Sequence, residues 1–452
     1  MKNLIVVLLL LSLPGVLFAQ AKQPRKVFPY AYTIDDLPNG LRLITIPTDY
    51  PNLVALYFVV QAGSRNEVEA GKSGYAHFFE HLMFRGSEHY TAEQRDAILK
   101  RAGADANAYT TDDRTVFHEV FSKEDLPQIM ELEADRFKGL KYERNPFKTE
   151  ALAVLGEYNK NSANPTSKLF EVLRETAYKT HTYAHTTMGY IKDIEDFPNQ
   201  YEYSLQFFQR FYRPEYVTVV IVGDVTHEQA LALTKKNFGD WKRGNYTAQI
   251  PKEPEQNEPR TAHVDWPSPT LPWVVVGFRG PAYSDTNKDH AALDLLASIA
   301  FGENSELYQR LVIKEQKIDV LDPNFSDRVD PEVFSIWARV KKPEDMDYVR
   351  DQMLATYKRY TTELIPQAKL NAAISRQRYS FALSMDSSEA IAGSLASYIS
   401  LRRTPETIDK LYALYESITP EDVRAAAARY FVDKNRTIVT LATKMDDKGG
   451  TK

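Results

Sequence analysis

The pentapeptide His77-Phe78-Phe79-Glu80-His81 brings two imidazoles and a carboxylate within five residues, and a second acidic segment, Glu150 to Glu157, follows. On a helix His77 and His81 are i and i+4, one turn apart on one face, with Glu80 one step round. Two imidazoles and a distant carboxylate form a normal three-ligand set for catalytic zinc, leaving a fourth position for water. A carboxylate beside that water can take its proton, and H-x-x-E-H is a signature of this hydrolytic chemistry.

The elements that must position these groups are legible nearby. Ser73 is placed to cap a helix that Gly86 ends. His77, Glu80, His81 and Phe84 then share one stripe, leaving Tyr75, Phe78, Phe79, Leu82 and Met83 to bury the other faces. Polar groups enclosed by so much aromatic surface are costly without a partner, and a metal supplies one. The third ligand should come from another helix. Asn145-Pro146 reads as a cap and first-turn proline, and Phe147 to Lys160 carries Glu150, Val154 and Glu157 on one face. Seven residues of helix separate the two acids by about 10 Å, so they cannot both touch one ion. One should ligate while the other orients a histidine or tunes the site.

With these residues in place, the chain resembles the pitrilysin family of zinc metallopeptidases, which includes insulin-degrading enzyme and mitochondrial processing peptidase. The family pattern pairs H-x-x-E-H with a glutamate about seventy-six residues after the second histidine and another acid seven residues before it. Glu157 and Glu150 match. Gly63-Ser64-Arg65-Asn66-Glu67, Phe84-Arg85-Gly86 and Gly156-Glu157-Tyr158 also agree. The likeness implies that His77, His81 and Glu157 hold Zn2+, that Glu80 is the general base, and that Glu150 acts from behind the ligands. Asn107-Ala108-Tyr109 matches a family stretch on a sheet edge that pairs with substrate backbone. It leads into Thr110 to Phe121, which reads as a strand. An exposed edge can take a peptide as an extra strand. His181 and His185 are also four apart, but the threonines around them and Gly189 indicate a loop, and the comparable family loop is structural.

Residues 1–21 read as a secretory signal, with Lys2, an apolar run from Leu4 to Leu11 and a small-residue end at Ala21. The run is too short to span a bilayer, so no stable membrane insertion is expected. The chain has no cysteine, and an export signal without disulfides suits a bacterial periplasm. A net charge of −5 without a basic patch argues against nucleic acid as a partner.

The expected fold class is α+β, with two homologous domains, each an antiparallel sheet with helices packed on it. The domains are 28–243, an N-terminal zinc-binding peptidase domain, and 263–445, joined by a Pro-rich linker at 244–262. The halves echo each other: Val217 to Gly223 and Thr437 to Leu441 each follow a helix and close a domain. Asp294, Ala297 and Ser298 stand opposite His77, Glu80 and His81, so the second half is inactive.

Active family assemblies take an arginine and a tyrosine, seven apart, from a C-terminal half. Val312 and Asp319 occupy those places here. An oxyanion beside zinc needs positioned donors, and Asp319 carries the wrong charge. The resemblance therefore implies the zinc-bearing subunit of a heterodimer. A homologous partner without the zinc motif would supply the Arg/Tyr pair and close a chamber around unfolded peptides. The alternatives are a homodimer with other donors, such as Arg328, or a non-catalytic peptide-binding subunit.

Overall fold

The computed structural model describes residues 26–444, so the expected signal at 1–21 lies outside the described residues. Among the described residues no helix is long and apolar enough to cross a membrane.

Six strands build the first sheet: β1 (Thr33–Asp36), β2 (Arg42–Pro47), β3 (Leu53–Val60), β4 (Asp105–Thr110), β5 (Thr115–Ser122) and β6 (Val217–Gly223). Their order is β1-β2-β6-β3-β5-β4, which leaves β4 at an edge. The second sheet contains β7 (Arg260–Trp266), β8 (Trp273–Arg279), β9 (Ile318–Asn324), β10 (Val333–Val340) and β11 (Arg436–Thr443). Its order, β7-β11-β8-β10-β9, repeats that of the first from β2 onward. The chain is thus a duplicated α+β unit. Each sheet is antiparallel except for one pair, β2 with β6 and β7 with β11, which run parallel. In each half the first and last long strands lie side by side, and the helices between them provide the crossover that parallel pairing needs.

Local chemistry moves some expected boundaries. The strand expected from Thr110 to Phe121 is a hairpin, because Asp112-Asp113 lies in a turn between β4 and β5. The Pro-rich connection becomes strand at Arg260. It is tied down before that: the Glu253 carboxylate accepts from the N–H groups of Lys179, Thr180 and His181 at 2.8–3.0 Å.

Five helices of the first half matter here: α1 (Tyr75–Leu82), α2 (Ala92–Arg101), α3 (Leu126–Gly139), α4 (Arg144–Ser162) and α5 (Pro165–Ala177). Leu56, Phe58, Phe117, Val219 and Ile221 of the sheet pack against Phe79 of α1 and Ile129 and Phe137 of α3. Ala55, Tyr57, Val59, Val220 and Val222 point the other way, into a core shared with Ile391, Leu395 and Ile399 of the helix Ser388–Arg402. Both faces of β3 and β6 are therefore covered, which is why these strands read as continuous apolar runs. The exchange is reciprocal. Leu169 and Leu173 of α5 lie under Trp266, Trp273, Val275 and Trp337 of the second sheet.

Ion pairs join the halves at the β4–β5 turn. Asp112 accepts two bonds from Arg174 of α5, at 3.0 and 2.8 Å, and pairs with Arg328 at 2.9 Å. Arg328 is thereby committed to a buried network with Asp112 and Glu332, so it is not the free donor that a homodimer would require. Asp319 stands on the edge strand β9, neutralised by Arg339 at 2.8 and 3.0 Å.

Leu173→Ala should lower stability by about 2–4 kcal/mol, since it opens a cavity between the halves. Leu152→Ala, at a position 60% exposed, should change it by less than about 0.5 kcal/mol. Urea unfolding of both variants checks the contrast. Burial alone would raise the Asp330 carboxyl, but hydrogen bonds from His181 and Arg65, with the Arg65 charge, hold it down at about 2. A carboxylate depressed in the folded state stabilises it above the unfolded pKa of about 3.9, and that contribution fades as pH falls toward 2. Asp330→Asn should therefore be the less stable protein at pH 7 and lose less than the native chain between pH 4 and pH 2.

Candidate metal centre

α1 starts differently from expectation. Ser73 does not cap it, because its hydroxyl donates to Asp193 at 2.5 Å and accepts from the Tyr190 N–H at 2.8 Å. Glu67 takes the role instead, accepting from the N–H groups of Gly74 and Ala76 at 2.6 Å each. A carboxylate can satisfy two orphan donors and complement the helix dipole together, which one hydroxyl cannot do. Gly74 holds φ 84, and a Cβ there would come within 2.3 Å of the Met188 carbonyl oxygen. The helix closes at Leu82, and Gly86 (φ 127) turns the chain four residues later. α4 begins at Arg144, so Asn145 and Pro146 lie inside its first turn rather than at its cap.

The crossing of α1 and α4 brings three groups together. His77 Nε2 lies 3.7 Å and His81 Nε2 3.6 Å from Glu157 Oε2. All three donor atoms fall within 4.8 Å of one another, and this is the one such cluster among the described residues. A tetrahedral zinc with bonds of about 2.1 Å spaces its ligand atoms about 3.4 Å apart, so the set fits the ion.

The protonation state of His77 agrees with that fit. Burial, with the neighbouring His81, drives the His77 imidazole down to about 4, so it stands neutral with a lone pair to donate. Its Nδ1 is buried without a hydrogen-bond partner. Burial also pulls His81 down, but the hydrogen bond and charge of Glu150, with the charges of Glu80 and Glu157, outweigh it and raise the imidazole. Glu150 Oε2 sits 3.3 Å from His81 Nδ1, which leaves Nε2 turned toward Glu157. Arg85 holds the other Glu150 oxygen. Glu80 is raised by burial against the pull of Thr110, whose hydroxyl donates to Glu80 Oε2 at 2.6 Å.

Asn107, Ala108 and Tyr109 lie on the free edge strand β4 and do not join the cluster. Ala108 and Thr110 face α1. Asn107 and Tyr109 lie on the opposite face, where Tyr109 packs against the core shared with the second half and the Arg114 guanidinium of the same hairpin covers its ring at 5.7 Å. His181 and His185 flank a short turn, with His181 bonded to Asp330 at 3.0 Å and His185 3.6 Å from Glu67. In the second half Asp294 accepts from Tyr415 and Gln377, at 2.6 and 2.9 Å. Sequence reasoning missed Arg85, Glu67 and Thr110. Arg85 had a signal, since it falls four residues after His81. Thr110 had none beyond its place at a strand end.

Known proteins resemble this chain over most of its length. Residues 43–190, which hold the three donor residues together with Glu80, Glu150 and Thr110, match the description Insulinase (Peptidase family M16). Residues 200–377 match the Peptidase M16 inactive domain. The chain belongs to peptidase family M16. It is 29% identical to the zinc protease PqqE of Helicobacter pylori over 440 residues, covering 96% of each chain. It is 25% identical to a probable mitochondrial-processing peptidase subunit beta of Schizosaccharomyces pombe, covering 90% of each. Among solved structures, a protease from Helicobacter pylori superimposes with a TM-score of 0.84 at 28% identity, covering 91% of this chain and 99% of that one. The periplasmic protease PqqL of Escherichia coli shares the fold at 19% identity and a TM-score of 0.73. This M16 chain covers 48% of its length.

Glu150→Gln should weaken zinc binding by about 10–100-fold, because it frees the His81 ring. Competition against a chromophoric chelator measures this, and far-UV circular dichroism checks that the helices persist.

Proposed function

We propose that this M16 chain is a zinc-dependent endopeptidase of the H-x-x-E-H type. The observation that carries the reading is the convergence of His77, His81 and Glu157, with Glu80 on the same helix face. These three residues would hold the ion, which when bound polarises a scissile carbonyl and acidifies water. Glu80 is placed to take a proton from the attacking water and return it to the leaving amine. Glu150, braced by Arg85, keeps His81 turned with Nε2 toward the ion. The free edge of β4 suits an extended peptide paired through its backbone, with Asn107, Ala108 and Tyr109 lining it. Such pairing reads main chain more than side chains, so the substrates are unfolded peptides.

We infer further that the working enzyme contains a second, homologous subunit. The Glu157 side chain is 39% exposed, so the donor cluster opens toward solvent. The positions of the expected Arg/Tyr pair hold Val312 and Asp319, the latter already paired with Arg339. The apolar leader after Lys2 supports periplasmic export.

Glu80→Gln should retain one zinc per chain and lose about 10²–10⁴-fold in kcat. Metal analysis with a fluorogenic peptide assay tests it, and a variant as active as the native chain refutes the base assignment. Titration with a homologous subunit that carries Arg and Tyr but no zinc motif should raise the rate. An isolated chain that is already at full rate overturns the pairing.

A further inference from the structure

Thr110 is the last residue of β4, the strand with the free edge. Its hydroxyl lies 2.6 Å from Glu80 Oε2 and 3.3 Å from Thr115 Oγ1. Thr115 in turn donates to the Ala62 carbonyl at 2.9 Å. With the Thr115 proton committed there, the single proton of Thr110 goes to the nearer acceptor, the carboxylate. A hydroxyl bound to an ionised oxygen makes a short, charge-assisted bond that holds the acceptor in one orientation.

The turn after Thr110 is clamped from both halves. Asp112 accepts from Ser64 Oγ at 2.9 Å as well as from Arg174, and it pairs with Arg328. Asp113 accepts from the Tyr183 hydroxyl at 2.6 Å and from the Val329 N–H at 3.0 Å. Gly63 lies so close that a Cβ on it would come within 2.3 Å of the Thr111 carbonyl oxygen. The end of β4 is therefore held by contacts from both halves, while β4 itself remains the edge strand of the sheet.

We propose that Thr110 is a positioning residue that ties the substrate-receiving strand to the orientation of Glu80. The inference rests on the proposed function, in which Glu80 is the base and β4 receives the peptide. One carboxylate oxygen is held by Thr110, and the other is left to face the attacking water. Peptide pairing along β4 and aim of the base then share one rigid element, so the reacting groups are set at a fixed distance as the peptide docks. The second half contributes through Arg328 and Val329, which fix the turn that carries Thr110.

Thr110→Val removes the donor at nearly constant volume, and Thr110→Ser restores it. The valine variant should lose about tenfold or more in kcat with KM unchanged, and the serine variant should recover most of the loss. In a Glu80→Gln background, Thr110→Val should cost nothing further, because the two act as a unit. Cobalt(II) loaded in place of zinc gives a readout independent of turnover. Its visible bands should shift in Thr110→Val in the same direction as in Glu80→Gln, and not in Thr110→Ser. Equal unfolding temperatures of the two metal-free Thr110 variants separate aim from fold. A valine variant with native kcat and spectrum, or serine and valine equally impaired, overturns the proposal. Failure of the underlying function looks different: the native chain then binds no cobalt, or Glu80→Gln stays active.

Discussion

A carboxylate from α4 lies between two imidazoles of α1, and aromatic packing holds the helix crossing that puts it there. Phe78 of α1 stacks on Phe197 with ring centres 4.7 Å apart and meets Phe147 of α4 at 5.2 Å. Tyr75, on the same buried side, donates to the Gln200 carbonyl at 3.0 Å. Large rings in fixed contact bury enough apolar area to offset the cost of drawing titratable groups partly out of water. The remaining polar capacity is then assigned: Glu150 to Arg85 and His81, Glu80 to Thr110. His77 Nε2, His81 Nε2 and Glu157 Oε2 are left gathered within 4.8 Å of one another.

That crossing depends on the rest of the molecule through an exchange between the halves. The helix Ser388–Arg402 covers the outer face of the first sheet, and α5 covers the outer face of the second. Each sheet would otherwise expose an apolar surface too large for a soluble domain. Among the described residues the second half holds no metal-ligand cluster, yet it packs against the sheet that carries the first half's site. It buries the strands behind β4 and grips the β4–β5 turn through Arg328. Buried ion pairs such as Asp112 with Arg174 and Arg328 bring directional contact that apolar packing does not.

Much of this was readable from side-chain periodicity. The apolar residues expected to surround the histidine stripe, Tyr75, Phe78, Phe79, Leu82 and Met83, are all buried. The duplicated fold showed in the repeated order of strand-forming runs, and the Asn107–Tyr109 stretch lies on an edge strand. The departures share a cause. Ser73 looked like a cap because local spacing favours it, but Glu67 and Asp193 compete from six residues before and a hundred and twenty after. Arg328 looked available until Asp112, more than two hundred residues earlier, was found beside it. The parallel pairs β2 with β6 and β7 with β11 join the ends of each half, where no local pattern reports direction.

The sequence by itself determined the residue types, their one-turn spacing on α1, the two acids on α4 and the two-lobed α+β plan. These features arise from periodicity and turn chemistry, which act over a few residues. Residue spacing left open which acid of α4 meets the imidazoles; the family resemblance implied Glu157, and the crossing of α1 and α4 brings that carboxylate to 3.7 and 3.6 Å from them. Only the tertiary structure decided which hydroxyl bonds Glu80, and that the second half grips the β4–β5 turn of the first. Each of these is a contact between segments tens to hundreds of residues apart. The direction of a side chain there is set by how two elements cross, a quantity that no stretch of chain carries alone.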